Sequence, residues 1–86
     1  MRGDVAQVAT FLQGEVELLE FEIHKGSPAD GRTIAELGLP RDVLIAAVVR
    51  DGRPQIARGR TTLRKGDHVI VMAKPSSVDT LSDALG

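Results

Sequence analysis

The chain of 86 residues has no cysteine, no tryptophan and no tyrosine, and its only aromatic rings are Phe11 and Phe21. Without cysteine it has neither a disulfide framework nor thiolate chemistry, which fits a reducing compartment. So few rings remove the stacking platforms on which most single-stranded nucleic-acid binders depend. A formal net charge of −1 supplies no general attraction to nucleic acid or to an anionic membrane. No apolar run approaches the ~20 residues needed to span a bilayer. Asp4 and Gln7 interrupt the start of the chain, so no signal peptide is expected. Neither G-x-G-x-x-G nor a phosphate-loop pattern occurs, which excludes dinucleotide binding of the Rossmann kind. His24 and His68 are too few and too isolated for a zinc site. With no serine elbow and no paired-carboxylate pattern, no enzyme is expected, and no metal.

What the chain does have is one strongly apolar stretch, Val43-Leu44-Ile45-Ala46-Ala47-Val48-Val49, closed by Arg50-Asp51-Gly52. A run this short reads as a strand covered on both faces. A domain of this size supplies only about 3–5 kcal/mol from a single core. It has few elements with which to cover such a strand twice, so pairing with a second copy is expected.

Around that strand the signals fall in order. Residues 1–14 read as a linker or arm from a preceding region, with a short strand in it, and residues 15–86 as the domain. The Arg2-Gly3-Asp4 tripeptide matches a cell-adhesion motif, but at a terminus without a secretion signal it reads as chance. From Glu15 to Ile23 polar and apolar residues alternate, with a slip between Leu18 and Leu19 that a β-bulge near Leu18 would absorb. Its four glutamates fall on a solvated face rather than in a metal site. Thr33-Ile34-Ala35-Glu36 is a capping box for a helix of one or two turns, which Gly38 stops and Pro40 forbids to continue.

Asp51-Gly52 marks a hairpin whose return strand, Arg53 to Ala57, is pushed toward a sheet edge by Pro54. His68 to Ala73 is the final strand. Ser76 or Ser77 then caps a last helix with Val78, Leu81 and Leu85 on one stripe. The fold class is α+β, a small β-α-β-β-β-α domain with a mostly antiparallel sheet. Between residues 50 and 65, Arg50, Arg53, Arg58, Arg60, Arg64 and Lys65 are offset only by Asp51. Such a segment suits recognition of a small anionic ligand, or a solvated edge that discourages strand-to-strand aggregation. Nucleic acid is not expected as a partner.

Four pieces in order then carry a family resemblance. They are Gly26-Ser27-Pro28; Gly31-x-Thr33-Ile34-x-Glu36-Leu37; the apolar run with Arg50-Asp51-Gly52; and Arg58-Gly59-x-Thr61-x-Leu63-x-x-Gly66-Asp67-x-Val69-Ile70-Val71. Together they resemble the TrkA-C domain, also called RCK-C, over about residues 15–85. The resemblance implies a regulatory homodimer that helps gate a membrane potassium transporter and lies in the cytoplasm, peripheral to the inner membrane. NAD or ATP belongs to an RCK-N domain absent from this sequence, so no cofactor is expected here. Some members bind cyclic di-AMP between paired domains and place an asparagine where this chain has Leu44 and Ile45. Ile45 and Arg58 still fit an apolar wall and a phosphate contact. The resemblance therefore makes Leu44, Ile45 and Arg58 the candidate inter-subunit site for a small anionic or nucleotide ligand. The alternatives are a purely structural dimerisation module and the equivalent domain of another ion carrier or antiporter.

Overall fold

The computed structural model describes residues 5–86, so the Arg2-Gly3-Asp4 tripeptide lies outside the described residues. Five strands form one sheet: β1 (Val5–Phe11), β2 (Val16–Glu22), β3 (Val43–Arg50), β4 (Arg53–Ile56) and β5 (His68–Ala73). Their spatial order is β1-β2-β5-β3-β4, and every neighbouring pair is antiparallel. One helix, α1 (Val78–Leu85), closes the chain. Pro54 lies on the edge strand β4, as expected of a residue that cannot donate to a ladder. Asp51 and Gly52 take φ of +53° and +74°, the pair of left-handed residues that a two-residue hairpin of matching twist requires.

The expected first helix is a single 3-10 turn, Ala35–Leu37. Its capping box does form: Thr33 N–H donates to Glu36 Oε1 at 2.8 Å, and Glu36 N–H donates to Thr33 Oγ1 at 3.3 Å. Gly38, at φ +59°, ends the turn at once. Start and stop signals stand only five residues apart, which leaves no room for an α-helical ladder. At the other end, Ser77 precedes α1 but makes no side-chain cap, because a 3-10 turn over Pro75–Ser77 already feeds the helix. Val78, Leu81 and Leu85 are buried on one stripe, as their spacing predicts.

Two further expectations change. The bulge near Leu18 lies across the ladder in β1, between Gln7 and Ala9, while β2 keeps an unbroken register with β5. An edge strand disturbs one ladder by bulging; β2, paired on both sides, would disturb two. Nor is β3 covered twice within the chain. β5 stands at the centre, and β3 has Ile45 and Val48 buried on one face but Leu44 61% exposed on the other. A bulge between Ile45 and Ala47 resets the alternation within the apolar run. Continuous hydrophobicity there reflects that reset and an apolar outer face, not a second cover within the chain.

The core lies on one side of the sheet. Leu19 and Phe21 of β2, Val69 and Val71 of β5 and Val48 of β3 pack under Leu81 and Leu85 of α1, and Leu63 closes the cluster from a loop.

Candidate functional site

The pairing of β4 with β3 ends at Ile56 opposite Ala47, so no strand covers the β3 edge from Val43 to Ala46 among the described residues. Ala57 N–H still reaches Ala46 O at 3.1 Å, and then the chain turns away. Arg58 N–H donates to Thr61 Oγ1 at 3.0 Å, which holds the turn. The 34–38 segment is tied to this loop by Ala35 N–H to Gly59 O at 2.8 Å and Ile34 N–H to Thr61 O at 3.0 Å. Between loop, turn and bare edge lies a cleft of about 370 Å³.

Leu44, Ile45 and Arg58, the three residues singled out from sequence, all line that cleft. Gly38, Leu39 and Gly59, which sequence reasoning did not name as site residues, line it too. Arg58 is the only ionisable side chain among the lining residues. Apolar walls with one guanidinium suit a flat apolar body that carries an anionic group, since a guanidinium matches phosphate or carboxylate in a fork.

The other basic residues do not gather at the cleft. Arg50 is committed to Asp67: Nε donates to Oδ1 at 2.8 Å and Nη2 to Oδ2 at 2.7 Å, and Nη2 also reaches Thr62 O at 2.9 Å. Arg64 N–H adds a bond to Asp67 Oδ2 at 2.8 Å. Asp67 is 1% exposed. Burial pushes its carboxyl up, but the Arg50 fork and the Arg64 amide outweigh it and hold the group below the usual carboxylate range. The pair fastens the end of β3 to the turn that opens β5, close to the loop that carries Arg58. Sequence reading named Asp67 only as part of the family motif and gave it no partner. An acid just before an apolar strand, with an arginine closing another, was the available signal.

A third group occupies the outer face of the sheet at its other end. His68 Nδ1 lies 2.6 Å from Glu20 Oε2, and Glu22 lies 3.9 Å from His68 Nε2 and 3.8 Å from His24 Nδ1. Glu20 and Glu22 share this face, whereas Glu17, paired with Ala73, belongs to the opposite one. Among the described residues no cluster of three or more such side chains is placed to hold a metal ion.

This is a small antiparallel-sheet domain with a single closing helix, the architecture of RCK domains. It overlays the RCK domain of GsuK with a TM-score of 0.81 at 23% identity, over 95% of this chain and 18% of that one. A structure described as "RCK domain with cda" matches with a TM-score of 0.67 at 23% identity, covering 80% of this chain and 97% of that one. The family model of the TrkA-C domain matches residues 18–86. The chain belongs to the TrkA-C domain family.

Among curated relatives, the Trk system potassium uptake protein TrkA homolog of Archaeoglobus fulgidus is 44% identical over 80 residues, 93% of this chain and 18% of the relative. The Trk system potassium uptake protein TrkA of Haemophilus influenzae is 37% identical over 73 residues, 81% of this chain and 16% of the relative. The chain therefore spans less than a fifth of the length of these relatives.

Proposed function

We propose that this domain is a regulatory, dimerising and ligand-sensing module of a Trk-type potassium transport system, and that it helps control the gating of a membrane transporter. It works in the cytoplasm, held at the inner membrane through the transporter subunit. Family membership supports the setting. The observation that carries the sensing role is the single cleft that gathers Leu44, Ile45 and Arg58 beside the bare β3 edge. The domain is no catalyst and needs no cofactor of its own: the cleft offers one guanidinium and apolar walls, which bind an anion but supply no acid–base pair.

The ligand is a small anion with an apolar body, of the nucleotide class, shared between two copies so that two guanidiniums meet its charge. A ligand that binds one arrangement of the pair more tightly than another shifts their populations by that difference.

Thermal-shift and calorimetric titration with cyclic di-AMP and other nucleotides test this. At a hundredfold excess over Kd, binding adds about 2.7 kcal/mol to stability, and Arg58→Gln abolishes the gain while leaving the unliganded melting temperature in place. No stabilisation by any nucleotide leaves a purely structural pairing module, a reading that the apolar Leu44 and Ile45 at the cleft also favour.

A further inference from the structure

The Arg58 side chain is exposed, and among the described residues its guanidinium makes no hydrogen bond or ion pair. Only its backbone fixes where that group can reach, and the backbone is held by a chain of bonds that starts in the interior. Buried Asp67 takes Nε and Nη2 of Arg50 on its two oxygens, at 2.8 and 2.7 Å. The same Nη2 donates a further bond, 2.9 Å long, to Thr62 O. One residue back, Thr61 accepts the Arg58 N–H on its Oγ1 at 3.0 Å, and its own N–H donates to Arg58 O at 3.0 Å.

The loop is also laced to the segment across the cleft. Gly31 N–H donates to Leu63 O and Leu63 N–H to Arg32 O, both at 2.8 Å, and Thr33 bridges Thr62 in antiparallel register. With the Ile34 and Ala35 bonds to Thr61 O and Gly59 O, two walls of the cleft, 34–38 and 58–59, form one unit. The third wall is Val43, Leu44 and Ile45 of β3. Because β3 ends in Arg50, the bond to Thr62 O ties that unit to the strand that supplies the third wall. A clasp that served only to join β3 to the start of β5 would need the two Asp67 oxygens and nothing more. The bond to Thr62 O brings in the loop.

Resting on the ligand-sensing reading above, we infer that Arg50 and Thr61 are positioning residues for the anion contact. Arg50 fixes the loop against β3 through Thr62 O, and Thr61 fixes the turn through the Arg58 amide. Arg58 then meets an anionic group from a place prepared before the ligand arrives. The ligand orders one side chain rather than a loop, which costs less and binds more tightly. Neither Arg50 nor Thr61 lines the cleft, so each acts through Arg58. Lysine cannot replace Arg50: its ammonium keeps the charge beside Asp67 but has no planar fork to span both carboxylate oxygens and still reach Thr62 O.

Calorimetric titration of the whole chain with cyclic di-AMP tests this relay. Arg50→Lys and, separately, Thr61→Val each weaken binding by about tenfold, because the ligand must now order a loose arginine in each of two copies. Thr61→Val leaves the Arg50–Asp67 pair intact, so it carries the test if Arg50→Lys melts too low to titrate. Thr61→Ser, which keeps the hydroxyl and loses the methyl, retains wild-type affinity; a packing role would follow the methyl instead. Val78→Ala loosens the core without touching the relay and leaves affinity unchanged. In the unliganded chain, Arg50→Lys strips the Arg58 amide of its protection from hydrogen exchange, while the amides of β2 stay protected. Wild-type affinity in Arg50→Lys or Thr61→Val, equal loss in Thr61→Ser and Thr61→Val, loss in Val78→Ala, or an Arg58 amide indifferent to Arg50→Lys overturns the relay and leaves ligand sensing in place. A wild-type chain that binds neither cyclic di-AMP nor any other nucleotide overturns both.

Discussion

On the covered side of the sheet Leu19, Phe21, Val69 and Val71 are at most 2% exposed, while on the opposite side Leu44 and Ile56 are 61% and 72% exposed. Both faces carry apolar side chains, often from adjacent residues of one strand, and the outer one adds Glu20, Glu22 and His68. The difference comes from the cover: Val78, Leu81 and Leu85 of α1 and Leu63 of a loop pack into the core cluster on one side. Hydrophobicity along a strand therefore reports how much surface the strand wants buried, and says nothing about who buries it. The inner face holds the domain together. The outer face leaves Leu44 and Ile56 open to solvent.

Substitutions sharpen or break that contrast. The largest effect is expected on the inner face: Phe21→Ala should cost about 4 kcal/mol in urea denaturation, as a fully buried ring is removed and the void only partly closes. A cost under 1 kcal/mol would mean that the inner face is not the core. Asp67→Asn should cost about 3 kcal/mol, toward the low end for a broken buried pair because Arg50 retains 30% exposure of its side chain.

The same carboxylate sets an acid limit. Its folded value is depressed, so its contribution is complete above the ordinary carboxylate value of about 4. The contribution is lost as pH falls through the lower folded value. A stability profile from pH 7 to pH 2 should fall steeply at its acid end for the wild type and less steeply for Asp67→Asn. Parallel profiles would remove Asp67 from the account.

Thr33→Ala should cost about 1 kcal/mol, the usual worth of an N-terminal cap, measured by thermal unfolding. Smallest of all, Leu44→Ser and Ile56→Ser should change the stability of the unpaired chain by no more than about 0.5 kcal/mol at low micromolar concentration. If either costs as much as Phe21→Ala, the two faces are not distinct.

The legible parts of this molecule were local. The Asp51-Gly52 hairpin, the edge position of β4, the exact span of β5 and the Val78, Leu81, Leu85 stripe each depend on residues a few positions apart. Leu44, Ile45 and Arg58, named through family resemblance, line one cleft. The rest was set by partners distant in sequence. Leu18 belongs to the outer face because Met72 and Leu44 continue its row, and Asp67 is buried because Arg50, seventeen positions earlier, reaches it. The double cover expected of β3 is, within the chain, a one-sided cover with Leu44 left exposed on the other face. No window of sequence separates a strand covered on both faces from one that leaves an apolar face exposed.

Sedimentation equilibrium of the wild-type chain, from low to high micromolar concentration, tests the central claim most directly. The account predicts a mass that rises to twice the 9.2 kDa of one chain. A mass of 9.2 kDa throughout, in a sample that melts cooperatively, would show that the domain needs no second copy and would contradict it.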